Sequence, residues 1–214
     1  ELALSLILGF AVFLKNGPLF SFQGLWGVPY LMDVHALSRI EASTVLMVMS
    51  ASAALAGALG GSLCRASGMG ERRFLDLNAV LYAMSWIPIA IVIRGFVVQS
   101  LWITGAVFGV TSTLLAVMMQ AVLKDSVAEA GRGVAIGITN GMSILGGAVF
   151  QPVMGYILDA AEAGGKSIAA GYSAALMFGL VSVWVSAALF ITACHMAKGK
   201  EKGCEPIALP EAAS

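Results

Sequence analysis

Charge is what this chain has least of. Of its 214 residues, 12 are Lys or Arg and 12 are Asp or Glu, 11% in all. A soluble domain carries about a quarter charged residues, so this sequence cannot solvate a globular surface. The two signs cancel, and no basic stripe marks a nucleic-acid footprint. Histidine occurs twice, as His35 and His195, at opposite ends of apolar stretches and without companions, so neither reads as a metal ligand. Cysteine occurs three times, at Cys64, Cys194 and Cys204, with no paired spacing and no histidine at a ligand interval. All three read as reduced, structural thiols near one side of the molecule. No nucleophile elbow and no zinc-protease helix is present. Gly164-Gly-Lys-Ser167 looks like the end of a phosphate-binding loop, but Ala160 stands where the earlier glycine belongs, and no strand precedes it. Nothing here supports an enzyme, a metal or a cofactor.

What is abundant is apolar surface: 59% hydrophobic residues and a mean hydropathy of +0.90. A helix needs about 20 apolar residues to cross the hydrocarbon. Six stretches meet that length, roughly Leu2–Tyr30, Ser43–Leu63, Leu75–Ile93, Leu101–Leu123, Val134–Leu158 and Tyr172–Met196. The reading is an all-α membrane protein: a six-span bundle over 1–196 and a short polar tail over 197–214, disordered and cytoplasmic. Glu1 opens the chain without a methionine and leads straight into apolar sequence, with no basic region and no cleavage site. That start reads as a fragment of a longer protein rather than a signal peptide.

Lys and Arg accumulate on the cytoplasmic side of membrane proteins. One set of connections and the tail holds Arg65, Arg72, Arg73, Lys124, Arg132, Lys198, Lys200 and Lys202; the other holds Arg39, Arg94 and Lys166. Both ends are therefore expected in the cytoplasm. Glycines recur at helix-contact spacing: Gly57, Gly60 and Gly61, then Gly105 and Gly109, then Gly133, Gly137 and Gly141. Small residues four apart let membrane helices approach closely, which predicts a tight bundle. Gly61-Ser-Leu-Cys-Arg65 and Gly155-Tyr-Ile-Leu-Asp159 echo one another in the middle helix of each group of three. Three is odd, so two such groups cross the membrane in opposite senses, as inverted repeats do.

The first stretch is the unusual one. Asn16 to Met32 carries two prolines, three glycines, a glutamine, a tryptophan and a tyrosine within apolar sequence. Helix-breaking residues survive in a membrane only where other helices or a water-filled cavity satisfy the freed backbone, so this segment reads as an interrupted helix lining a cavity. Lys15 lies about halfway along it, where a charge must face protein or water. At 100° per residue, Lys15, Gln23, Trp26 and Tyr30 fall within about 80° of one face. Together with Asn16 they could hold an anionic or zwitterionic solute. Alternatively, Lys15 snorkels to an interface while Trp26 and Tyr30 form an aromatic belt. Thr104, Phe108, Thr111 and Met118 make a second stripe, facing either the cavity or their own backbone. Asn140, Ser143, Gly147 and Gln151 share a face of the fifth stretch, suited to substrate contact or to bonds between helices. Asp76 follows Arg72 and Arg73 at helical spacing, which suits a local ion pair.

Phe22-Gln-Gly-Leu-Trp-Gly-Val-Pro-Tyr-Leu-Met-Asp33, in a chain of six spans, resembles the carboxy-terminal half of a major facilitator superfamily transporter. So does Arg132-Gly-Val-Ala-Ile-Gly-Ile-Thr-Asn-Gly, running on to Gly146-Gly-Ala-Val-Phe-Gln-Pro-Val-Met-Gly-Tyr-Ile-Leu-Asp159. The family's inner loop reads glycine, three residues, aspartate, two residues, glycine, then paired basics. Gly61, Gly68, Arg72 and Arg73 fit that gating-loop pattern; Arg65 stands near the acidic position, and Met69-Gly-Glu71 is inserted. The resemblance implies half of the family's fold, six helices as two inverted three-helix repeats. It implies a central cavity lined by the first and fourth spans, flanked by the second and fifth. It also implies a missing amino-terminal half of six helices.

These readings converge on secondary active transport of a small organic solute by alternating access in a plasma membrane, the expected setting being the bacterial inner membrane. Partners would be the bilayer, the missing half, the solute and a co-transported ion. Lys15 tilts the solute toward an anion. Two rivals stand beside this: a six-span assembly protein that binds partner helices through its glycine ridges, and a half-size carrier that dimerises. The assembly reading requires no water-accessible cavity.

Overall fold

The computed structural model describes residues 2–91 and 98–196. Among them every regular element is helical. The order is α1 (Leu2–Ser21), a π turn (Phe22–Trp26), α2 (Gly27–His35), α3 (Arg39–Ala66), α4 (Glu71–Ser85), α5 (Ile87–Ala90), α6 (Val98–Ser126), a 3-10 turn (Glu129–Gly131), α7 (Arg132–Ala163) and α8 (Ile168–Met196). Five helical runs are long and apolar enough to cross a membrane: Leu4–His35, Arg39–Ala66, Ser100–Ser126, Glu129–Ala163 and Ile168–Met196. The protein is a multi-pass membrane protein of all-α class.

The third stretch, expected as one span over Leu75–Ile93, departs from that reading. It divides at Trp86 into α4 and the one-turn α5, with Pro88 in the first turn of α5. Pro88 has no N–H to donate back into α4, and its ring crowds the preceding turn. Arg94, Cys204 and the tail from Ala197, with Lys198, Lys200 and Lys202, lie outside the described residues.

Local chemistry sets the helix ends. The first run stops at Ala36, a left-handed residue (φ 55°) whose N–H returns to the Leu31 carbonyl. Ser38 and Glu41 then form a reciprocal capping box that starts α3. Gly68, at φ +63°, turns the chain from α3 into α4, where a Cβ would be strained. Arg132 caps the far end of α6, its Nε donating to the Lys124 and Val127 carbonyls at 3.0 and 3.3 Å.

The packing repeats itself under exchange of the two halves of the chain. Its most extensive contacts are α1 with α7 and α3 with α6. Each pairs the first helix of one three-helix group with the second helix of the other. The third helices follow suit, α4 against α6 and α8 against α1, and α4 and α8 meet each other. Swapping the groups maps these five pairs onto themselves, as a two-fold-related inverted repeat requires; α7 also packs on α8, whereas its counterpart pair, α3 and α4, makes little contact.

Glycine makes the two principal contacts close. A Cβ on Gly146 of α7 would lie 2.6 Å from the Phe13 carbonyl oxygen of α1, and one on Gly109 of α6 would collide with the Met49 carbonyl of α3. Gly57 and Gly60 also face α6, beside Thr113 and Leu114. Gly133, Gly137 and Gly141 do not fit the tight-bundle reading. A Cβ on any of them would meet nothing within 4 Å, because that stripe lies on the uncovered face of α7. Helices α3 and α7 are the spans least covered by their own bundle.

Proline costs α1 a backbone bond, and α8 restores it. Pro18 cannot donate to the Leu14 carbonyl, and the Ser182 hydroxyl donates there instead at 3.0 Å. Ser186 donates to the Ala11 carbonyl one turn earlier, at 2.6 Å. The expectation of reduced cysteines holds for Cys194, a free buried thiol. Cys64 is disulfide-bonded; sequence spacing carries no signal for a bond made by tertiary approach.

Candidate functional site

A π turn holds one residue more per turn than an α-helix and commonly marks functional positions. Here it spans Phe22–Trp26 and closes with the Gly27 N–H on the Phe22 carbonyl. Helix α7 spans this turn with a single residue. Gln151 donates from Nε2 to the Phe20 carbonyl at 3.4 Å, just before the turn, and accepts at its own carbonyl from Trp26 Nε1 at 3.1 Å. Gly155 leaves room for the indole, which a Cβ there would touch at 3.1 Å.

Beside the turn lies an open groove of about 670 Å³, lined by Phe20, Gln23, Gly24, Ser50, Ile144, Gly147, Ala148 and Gln151. Gln23 Nε2 donates to Ser50 Oγ at 3.1 Å, and Ser50 donates to the Leu46 carbonyl at 3.0 Å. Phe20, Ser50 and Gly147 each lie near the middle of their own span. The groove is therefore at mid-membrane depth, on the side of the bundle that its own helices leave open.

The expected face of Lys15, Gln23, Trp26 and Tyr30 is not gathered around one cavity. Lys15 is 2% exposed. Its Nζ donates to Asn16 Oδ1 at 2.9 Å and lies 5.2 Å from the Tyr82 ring centroid of α4. Among the described residues no carboxylate pairs with it. Gln23 faces the groove, and Trp26 packs on α7. Tyr30 is buried, donating to the Ile89 carbonyl at 3.0 Å, with His35 Nε2 at 3.1 Å from its hydroxyl. An arc of about 80° is wide enough to reach two neighbouring helices, and the extra residue of the π turn rotates everything beyond it.

The other candidates divide in the same way. Asn16 donates from Nδ2 to Ser143 Oγ of α7 at 2.6 Å, so Lys15, Asn16 and Ser143 form a continuous chain. Asn140 accepts from Gln120 of α6 at 3.4 Å and is exposed on the open face. Thr111 is buried and bonds its own backbone, at the Val107 and Phe108 carbonyls, while Asn78 of α4 donates to the Thr111 carbonyl at 3.0 Å. Phe108 is fully buried between Tyr82 and Trp86. Thr104 is half-buried in the first half of α6. Ser50 escaped the sequence reading because nothing in its own helix pattern announces that Gln23 will reach it.

At the basic end of the bundle, Gly61 and Arg65 belong to the last turns of α3, and Arg65 Nη2 donates to Ser62 Oγ at 3.1 Å. Gly68 makes the turn; Arg72 and Arg73 open α4. Asp76 has a tertiary partner rather than only local ones: its Oδ2 lies 3.3 Å from His195 Nε2 of α8. At the opposite end a smaller cavity of about 190 Å³ holds Asp33, Glu162, Lys166 and Tyr172, with the Tyr172 hydroxyl donating to Asp33 Oδ2 at 3.1 Å.

No protein-family model matches the chain, and no curated protein matches it significantly. Solved structures do. One is the proton:xylose symporter XylE of the major facilitator superfamily, bound to 6-bromo-6-deoxy-D-glucose, at 18% identity and a TM-score of 0.67. The match covers 91% of this chain and 44% of the symporter, so the chain spans less than half of that protein's length. The fold is that of one half of a major facilitator superfamily transporter.

Proposed function

We propose that this chain is the carboxy-terminal half of a secondary active transporter that moves a small organic solute across the plasma membrane by alternating access. The observation that carries the reading is the mid-membrane groove. Gln23, Ser50 and Gln151 present amide and hydroxyl groups there, on the side the bundle leaves uncovered. Polar groups at that depth need protein or water around them, because lipid satisfies none of their hydrogen bonds. A groove facing a second six-helix half, with water between, meets that need. The uncovered faces of α3 and α7, including the Gly133, Gly137 and Gly141 stripe, then become the seam against that half.

In this reading the two halves rock about the groove, and a solute or ion gradient drives net movement. Both ends of the chain lie in the cytoplasm, in a bacterial inner membrane, on the strength of Arg65, Arg72, Arg73, Lys124 and Arg132 clustering at one end. The turn from Gly61 to Arg73 is the cytoplasmic gating loop. Gln23 and Gln151 touch the solute, Asn16 and Asn140 border its path, and Trp26 and Tyr30 hold the outer segment in position. An anionic solute rests on Lys15 alone and requires its amine to leave Tyr82.

Thiol accessibility tests this. In the full-length protein in membranes, Gln23→Cys should react with an aqueous maleimide, whereas Thr111→Cys, buried against α4, should not. A groove that serves only to bind partner helices predicts that both resist.

A further inference from the structure

We propose that the smaller cavity, at the end of the bundle opposite the basic loops, binds the head group of phosphatidylethanolamine from the surrounding leaflet. Its lining comes from α2, α7, α8 and the turn joining the last two, and owes nothing to the mid-membrane groove. Ala161, Gly171 and Tyr172 are the buried part of that lining; Asp33, Glu162 and Lys166 are exposed. The depth is that of lipid head groups. Asp33 stands two residues before the end of the Leu4–His35 run, and Glu162 one before the end of Glu129–Ala163. Lys166 and Ser167 lie between that run and the next, and Tyr172 is in the second turn of Ile168–Met196.

The cavity carries two carboxylates and one ammonium, and among the described residues none of the three is paired with an opposite charge. Tyr172 donates to Asp33 Oδ2 and leaves Oδ1 for a second donor. Ser167 Oγ accepts from the Ala170 N–H and keeps its own O–H to give. A primary ammonium, with three N–H donors, suits Asp33 and Glu162, and the adjoining phosphate suits Lys166 and Ser167. Phosphatidylcholine has no N–H to donate, and phosphatidylglycerol brings the two carboxylates no cation. At about 190 Å³ the cavity is smaller than the sites of about 300–1,000 Å³ that enclose whole small molecules. It can hold a head group while the acyl chains stay outside. Phe178, two turns deeper on the face of Gly171, is 41% exposed and stacks on Phe150 of α7 at 5.2 Å. An acyl chain finds an apolar track there, which favours a membrane lipid over a free zwitterion of the same chemistry.

The test counts retained lipids by native mass spectrometry of the full-length protein in detergent. Dioleoyl phosphatidylethanolamine, phosphatidylcholine and phosphatidylglycerol are added singly, at the same molar ratio. Phosphatidylethanolamine should be retained severalfold more than either of the others. Asp33→Asn with Glu162→Gln should reduce its retention to that of phosphatidylcholine; both positions are exposed, and the new amide oxygen can still accept from Tyr172. Soluble O-phosphoethanolamine at millimolar concentration should not displace the lipid. Displacement by it overturns the membrane source in favour of a free zwitterion. Equal retention of the three lipids overturns the site, as does a preference for phosphatidylethanolamine that survives both substitutions. Neither result touches the groove, whose own test is thiol accessibility.

Discussion

Lys15 and Tyr82 hold each other twice. The Lys15 amine lies 5.2 Å from the Tyr82 ring centroid, and the Tyr82 hydroxyl donates to the Lys15 backbone carbonyl at 3.2 Å. The clasp joins α1 to α4 beside Pro18, and both side chains are almost fully buried. A mid-membrane charge that faces an aromatic ring and an amide is thereby accommodated without an acidic partner.

Lys15 should therefore be replaceable by an apolar residue of its own shape. Lys15→Met should unfold within a few degrees of the parent, since exchanging a buried ion for a packed hydrophobe is often neutral or stabilising. Lys15→Ala should lose about 2–5 kcal/mol to the cavity it leaves. Thermal unfolding in detergent reads both. A Lys15→Met protein that unfolds far below the parent would mean that the amine itself, and not its apolar stem, holds the clasp.

The two serines of α8 should differ in worth. Ser182 serves the Leu14 carbonyl, which Pro18 leaves without its helical donor; Ser186 serves the Ala11 carbonyl, which keeps the Lys15 N–H. Ser182→Ala should cost about 1–2 kcal/mol and Ser186→Ala about 0.6 kcal/mol, in line with side-chain bonds in membranes. In a Pro18→Ala background the Ser182→Ala cost should shrink, because the backbone N–H restored by that substitution takes over the Leu14 carbonyl. An unchanged cost in that double-mutant cycle would mean that the hydroxyl does not replace the missing bond.

Glycine substitutions should separate packed seams from open ones. Gly109→Ala drives a methyl group onto the Met49 carbonyl and should destabilise the bundle by about 3 kcal/mol or more. Gly137→Ala meets nothing within 4 Å and should leave unfolding of these six helices unchanged. In the full-length protein the same Gly137→Ala change should impair transport, if a helix of the other half lies on that stripe. Equal effects of the two changes on this bundle would contradict the assignment of its faces.

Much of this was legible in the sequence, and what escaped did so for physical reasons. Apolar runs near 20 residues announce spans whatever packs on them, so the long helices emerged within a few residues. Pro88 broke the third stretch, although composition there stays apolar through Ile87 and Ile89. Glycine spacing marks where close approach is allowed and not where it occurs: Gly105 and Gly109 meet α3, while Gly133, Gly137 and Gly141 face outward. The interruption after Pro18 could be foreseen, but its form as a π turn could not, and that form decides the direction of Trp26 and Tyr30. Thr111, Asp76 and Tyr82 were decided by neighbours far away in the chain.

That this bundle is half of a transporter is tested most directly by the coding sequence immediately upstream of Glu1. Six further apolar stretches of spanning length are predicted there, joined to this chain by a basic connecting loop. An initiator methionine a few codons before Glu1 would contradict the half-transporter reading, and the open face of α3 and α7 would then belong to a dimer or an assembly partner.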